Sequence, residues 1–252
     1  MIEIKGLKKS FGPKHVLKGV DLTIPKGKTT VILGLSGGGK STIIKHIVGL
    51  LKPDDGEIWV DGEEISRADD DEIRRIRKKV GFLFQSGALF DSMNVFENVA
   101  FPLREHTDMD ESDIRERIIE RLEMVALKPK EVLNLYPDEL SGCMRKRVGL
   151  ARTIVLDPEI ILYDEPTSGL DPITSDLISQ MIINLKKRLG VTSVLISHDI
   201  KESFKAGDYF AMLYDGKIIE AGDAEHFKHT KNPYVRQFLD GESDGPIHFQ
   251  ER

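Results

Sequence analysis

Gly34-Leu35-Ser36-Gly37-Gly38-Gly39-Lys40-Ser41, followed by Thr42, has the spacing G-x-x-x-x-G-K-[ST]. Just upstream, Thr30-Val31-Ile32-Leu33 is a short β-branched, apolar run suited to a buried strand. Just downstream, the sequence predicts a helix over about 41–51. A glycine-rich turn between strand and helix lets backbone N–H groups curl around a phosphate without Cβ clashes. The helix adds its positive dipole end and its unpaired N–H groups. Lys40 would neutralise charge on the β- and γ-phosphates, and the Ser41 hydroxyl would complete a magnesium shell. Average residue frequencies give an accidental match in about one chain per hundred of this length, so the flanking strand and helix carry weight. Nucleotide phosphates are the expected ligand.

A second stretch supports this. Ile160-Ile161-Leu162-Tyr163-Asp164-Glu165 is an apolar strand ending in two carboxylates. Asp164 is placed to hold magnesium, and Glu165 to orient and deprotonate an attacking water, a role that contributes about 10²–10⁴ in rate. In isolation, two acids at a strand exit would be unremarkable. Beside a phosphate loop they form a constellation.

Around these two strands the chain alternates. Ile2-Glu3-Ile4 and the run 16–24 are expected strands, Pro25-Lys26-Gly27-Lys28 a turn, and Asp61-Gly62 a hairpin turn after Glu57-Ile58-Trp59-Val60. Ile114, Ile118, Ile119, Leu122 and Val125 recur at helical spacing over roughly 110–127, and another helix is expected over about 141–156. Ser193-Val194-Leu195-Ile196 is a further strand, preceded by a helix whose apolar set is Ile173, Leu177, Ile178, Met181, Ile182 and Leu185. Such alternation predicts an α/β core with a parallel sheet, interrupted at about 87–157 by a helical subdomain.

Composition sets limits. The 252 residues are 40% hydrophobic and 31% charged, ordinary for a folded chain. A net charge of −6 argues against nucleic acid as the main partner. The cationic run Arg74, Arg75, Arg77, Lys78 and Lys79 reads as a solvated helix face. The single cysteine, Cys143, rules out an intrachain disulfide. MIEIKGLKKSFG lacks the apolar core of a signal peptide, and no stretch approaches ~18 consecutive apolar residues. Action at a membrane would require another chain to span it.

A small-metabolite kinase could share the phosphate loop and the acids. Five further motifs point elsewhere. Leu140-Ser141-Gly142-Cys143-Met144 resembles the L-S-G-G-[QM] signature of ATP-binding cassette (ABC) proteins, and Phe84-Gln85 that family's Q-loop. Ser168-Gly169-Leu170-Asp171 is similar to its D-loop, and Ser197-His198-Asp199 to its switch histidine, while Phe11 sits where the family stacks an aromatic on adenine. The resemblance implies a P-loop ATPase with an N-terminal antiparallel β-subdomain, hydrolysing ATP with Mg2+. It implies two copies packed head to tail, each ATP lying between one copy's phosphate loop and the other's Ser141, Gly142, Cys143 and Asp171. Gln85 would then sense magnesium and water, and His198 would contact the γ-phosphate. Cys143 departs from the pattern, since a side chain there would crowd the partner's γ-phosphate. Slow hydrolysis, an altered interface or oxidation sensitivity would follow.

The segments 84–90, 93–100 and 102–107, together with the ending 236–246, resemble the ATPase subunits of Mla-type phospholipid transport systems. That resemblance implies a membrane permease, a lipid-binding mammalian-cell-entry (MCE) domain protein, a small STAS-domain regulator, and a peripheral place on the cytoplasmic face of the inner membrane. It also implies one ATPase domain over 1–240 and a tail over 241–252. The apolar residues Leu89, Phe90, Met93, Val95 and Phe96 could form a groove for a partner helix or pack beneath the helical region. Alternatives are a soluble ABC ATPase acting on DNA or ribosomes, an importer of another substrate, and a nucleotide-gated assembly module with little turnover.

Overall fold

Two sheets meet on the helix that follows the phosphate loop. The computed structural model describes residues 1–247. The first sheet is antiparallel, with order β2-β1-β4-β5, from β1 (Ile2–Phe11), β2 (Lys14–Ile24), β4 (Asp55–Val60) and β5 (Glu63–Glu64). The second has six strands in the order β10-β9-β3-β8-β7-β6. It comprises β3 (Thr29–Gly34), β6 (Val80–Leu83), β7 (Ile160–Asp164), β8 (Thr192–Ile196), β9 (Tyr209–Tyr214) and β10 (Lys217–Asp223). All its pairings are parallel except the β9–β10 hairpin.

The central strands β3, β7 and β8 are buried at every residue, which is why their sequence is continuously apolar or small rather than alternating. The outer face of the first sheet is wet, and β2 alternates accordingly. Helix α1 (Lys40–Ile47) and α2 (Asp70–Lys79) pack between the sheets in one apolar cluster that includes Ile43, Ile47, Ile73 and Ile76. Between β6 and β7 lie α3 (Val95–His106), α4 (Glu111–Met124), the short α5 (Pro129–Val132) and α6 (Gly142–Ile154). Their apolar faces join a second cluster that also holds α7 (Pro172–Leu189). The chain then continues through α8 (Ile200–Ala206), α9 (Ala224–His229) and α10 (Pro233–Asp240).

Two local features differ from the sequence expectations, and a third, at the C-terminus, bears on a point they leave open. Helix α1 stops at Ile47, because Gly49 turns left-handed at φ 66° and Arg77 donates to the carbonyls of Val48 (3.2 Å) and Gly49 (2.9 Å). So one member of the basic run holds a helix end, while its neighbours are solvated. On α7, Ile173 and Leu177 do not join the core; Ile173 is 85% exposed. The buried face runs through Ser175, Ile178, Met181, Ile182 and Leu185, and at about 100° per residue the other two positions point well away from it. At the C-terminus, Ile247 is buried and its N–H donates to Gln237 Oε1 at 2.7 Å, so 241–247 fold back on their own chain. The expected tail over 241–252 otherwise lies, at 248–252, outside the described residues.

Candidate functional site

Glycines set the shape of the phosphate loop. At Gly34 (φ 147°) an added Cβ would sit 2.4 Å from the Leu213 carbonyl, and at Gly39 (φ 105°) 2.9 Å from Val16 Cγ1. Gly37 is also left-handed, and the Gly38 N–H donates to the Leu35 carbonyl at 3.1 Å. Ser36 and Gly37 are exposed at the crest. Helix α1 begins with Gly39 as N-cap and no side-chain cap, so its first N–H groups are presented to whatever the loop encloses. Lys40 is buried, its ammonium donating to the carbonyls of Gly34 (2.8 Å) and Leu35 (2.9 Å). Burial lowers its pKa, opposed by the carboxylates of Glu165 and Asp164.

The two acids at the end of β7 converge on the loop. Ser41 Oγ donates to Asp164 Oδ1 at 2.7 Å. Burial raises the Asp164 pKa, and the Ser41 hydrogen bond opposes the shift. Glu165 is held in the left-handed region at φ 49°, where a non-glycine residue is strained, by its own N–H donating to the Ile196 carbonyl at 3.0 Å. Its Oε2 accepts from Gln85 Nε2 (3.4 Å) and lies 3.6 Å from His198 Nδ1. Gln85, Asp164, Glu165 and His198 thus follow three adjacent strands, β6, β7 and β8, at the edge where parallel α/β sheets hold ligands.

A cavity of about 380 Å³ opens beside the loop, lined by Phe11, Lys14, Val16, Gly37, Gly39, Lys40, Ser41, Thr42 and Glu165. Phe11 is 47% exposed there, with the Lys9 ammonium 5.8 Å from its ring centroid. Lys14 and Val16 were not singled out by sequence; the short turn after Phe11 brings them in with it, a signal available once the β1–β2 hairpin is drawn. Ser168, in the stretch similar to a D-loop, accepts through its hydroxyl from Gln85 Nε2 at 3.1 Å.

For a cation, Ser41, Asp164 and Gln85 would offer only oxygens: one hydroxyl, one carboxylate and one amide oxygen, the first two already hydrogen-bonded to each other. Gln85 Nε2 reaches Ser168 Oγ and Glu165 Oε2, so in this amide orientation Oε1 is the atom that would serve a cation. That set suits magnesium, which takes few protein ligands and completes its shell with phosphates and water. Among the described residues there is no cluster of three His, Cys, Asp or Glu side chains that would favour another metal.

The signature residues lie elsewhere. Ser141 caps α6, its Oγ accepting from the Met144 N–H at 3.2 Å, with Gly142 and half-buried Cys143 opening the helix. Asp171 caps α7, accepting from the N–H groups of Ile173 (3.0 Å) and Thr174 (3.1 Å). The Thr174 hydroxyl lowers the Asp171 pKa further than these N–H groups do. None of the four lines the cavity beside the chain's own phosphate loop.

Comparison with known proteins agrees with this geometry. The model of a family described as "ABC transporter" matches residues 17–168, more than half of the chain. The phospholipid transport ATP-binding protein MlaF of Haemophilus influenzae is 44% identical over 250 residues, covering 99% of this chain and 94% of that protein. A probable ribonucleotide transport ATP-binding protein of Mycobacterium leprae is 45% identical over 250 residues, covering 99% of this chain and 72% of that protein. Among solved structures, a dimeric ATP-binding cassette in a post-hydrolysis state with ADP and phosphate superposes with a TM-score of 0.82 at 35% identity, covering 89% of this chain and 99% of that one. The chain belongs to the ABC transporter family, as an ATP-hydrolysing cassette.

Proposed function

We propose that this cassette drives a phospholipid transporter of the Mla type, binding Mg2+ with ATP between two copies of itself. The observation that carries the chemistry is the meeting of Lys40, Ser41, Asp164, Glu165, Gln85 and His198 at one sheet edge. Lys40, the loop N–H groups and Thr42 bind the phosphates, and Phe11 stacks on adenine. Ser41, Asp164 and Gln85 hold the magnesium, which neutralises phosphate charge when bound. Glu165 takes the proton of the attacking water, and His198 contacts the γ-phosphate. Ser141, Gly142, Cys143 and Asp171 serve the partner's nucleotide. Cys143 stands where the family has glycine, and slow hydrolysis, an altered interface or oxidation sensitivity are the outcomes its side chain would bring.

The transport assignment rests on similarity. Names among the relatives diverge between phospholipid and ribonucleotide transport, but the chain spans 94% of the former protein and 72% of the latter. A permease partner fits a second feature: a groove beside Gln85 lined by Phe82, Phe84, Phe90, Phe101 and Arg152, with Phe90 and Phe101 exposed. Of Leu89, Phe90, Met93, Val95 and Phe96, Phe90 lines this groove, whereas Val95 is buried in the core and Leu89 and Phe96 pack against it, the other outcome the sequence left open. An apolar helix of the permease would lie in this groove. No helix among the described residues is long and apolar enough to cross a membrane. The site of action we propose is the cytoplasmic face of the inner membrane, with an MCE-domain protein and a STAS-domain regulator in the complex. Residues 1–240 act as one ATPase domain with its helical subdomain over about 87–157, and 241–252 as a tail.

The test is capture of tagged protein from mild-detergent membrane extracts, with mass spectrometry and phosphate release on the eluate. A permease and an MCE-domain protein are expected, with turnover lost at least a hundredfold in Glu165→Gln and ATP binding kept. Ribosomal or DNA-repair proteins in the eluate would retain the ATPase and overturn the transporter.

A further inference from the structure

Lys146 stands one turn into α6, on the same helix as the signature residues, and only 6% of it reaches solvent. Its ammonium has one hydrogen-bond partner among the described residues, the Ser168 carbonyl at 2.5 Å. Burying a cation with a single acceptor is costly, and a side chain kept only for packing would do better as an apolar residue of similar length. Burial lowers the Lys146 pKa, while the nearby Cys143 sulfur and Glu165 carboxylate oppose the shift. The cation is therefore held near the catalytic carboxylate without touching it.

Ser168 closes a small polar ring. Its N–H donates to the Glu165 carbonyl at 3.1 Å, which sets the turn after β7. Its hydroxyl accepts from Gln85 Nε2, and the same amide reaches Glu165 Oε2. Glu165 begins this turn in a strained left-handed conformation, so the turn persists only if both ends are held. The Ile196 carbonyl holds one end and Lys146 the other. The same helix holds the segment after Gln85, since Arg152 donates to the carbonyls of Gly87 (2.9 Å) and Ala88 (2.8 Å). One helix thus grips both the loop that follows Gln85 and the turn that follows Glu165.

We propose that Lys146 is a positioning residue for hydrolysis: by fixing the Ser168 carbonyl it holds Gln85 and Glu165 in register and ties the signature helix to the chain's own catalytic turn. This rests on Glu165 acting as the base. Displacement of α6 by a partner's nucleotide would reach Glu165 through this contact.

The experiment compares steady-state hydrolysis and nucleotide binding by the full-length chain carrying Lys146→Met, Lys146→Arg, Ser168→Ala, the Lys146→Met/Ser168→Ala pair, and Glu165→Gln. Lys146→Met is expected to lower kcat on the order of tenfold, the cost of a small misplacement of catalytic groups, with KM for ATP moved less than about twofold. Lys146→Arg, which keeps a donor and the charge, should recover most of the loss. The double variant should be no worse than the poorer single one, because both break the same chain of contacts. Wild-type kcat in Lys146→Met beside a dead Glu165→Gln would overturn the proposal. So would failure of arginine to recover turnover, or losses that simply multiply. If Lys146→Met does not fold, Lys146→Leu, which also fills the site without a donor, carries the test, and unchanged kcat there would refute it. An active Glu165→Gln would remove the base, and this inference with it.

Discussion

The phosphate loop and the start of the signature helix are both glycine-containing turns opening a helix, yet they are finished differently. At the first, Gly39 leaves the N-terminus of α1 without a side-chain cap, and the groups around it converge on a cavity that includes Phe11 and Glu165. At the second, Ser141 caps its own helix through Met144 and does not line the chain's cavity. The first gathers phosphate loop, aromatic ring and acid in one cavity, and the second is a capped helix end outside it. In the function proposed above, the difference means that one chain carries two unlike halves of a site, so the working unit is the pair.

The contrast can be broken most sharply at Lys40. Removing the buried ammonium with Lys40→Ala should weaken ATP binding about a hundredfold or more, measured by titration with a fluorescent nucleotide. A comparable loss of monomer affinity in a signature-helix variant would erase the distinction between the halves. Phe11→Ala should weaken binding about tenfold, the scale of one base–aromatic stack, and act equally on ATP and ADP because adenine is common to both.

The smallest expected effect concerns stability. Burial raises the Asp164 pKa above its ordinary 3.8, so the folded nucleotide-free chain binds that proton more readily than the unfolded one. The ionised carboxylate therefore costs stability at neutral pH, and the cost fades as pH falls through the raised pKa toward 3.8. Asp164→Asn should raise the melting midpoint of the nucleotide-free protein by roughly 2 °C at neutral pH, with the gain shrinking on acidification. With Mg-ATP the order should reverse, because binding uses that charge. Scanning calorimetry across pH with and without nucleotide reads both.

Much of this architecture is legible in the sequence because local signals and tertiary demands coincide there. The run 30–33 is apolar because β3 is buried on both faces, and Asp61-Gly62 marks a hairpin because both residues take positive φ. Asp215-Gly216 carries the same mark between β9 and β10, so that hairpin was open to the same reasoning. What escapes are facts of three-dimensional placement. Ile173 and Leu177 look like core by residue type, but the face of α7 is set by its neighbours. The contact of Lys146 with Ser168 spans 22 residues and uses a backbone carbonyl, which no side-chain pattern announces. The seat of Ile247 on Gln237 likewise joins a helix to residues with no periodicity of their own.

The two-half account is tested most directly by sedimentation of Glu165→Gln with saturating Mg-ATP, with and without Ser141→Arg. Glu165→Gln alone should form a dimer. Adding Ser141→Arg should return it to a monomer that still binds ATP with unchanged affinity. A Glu165→Gln chain that stays monomeric while loaded with ATP, or a Ser141→Arg chain that dimerises as before, would contradict it.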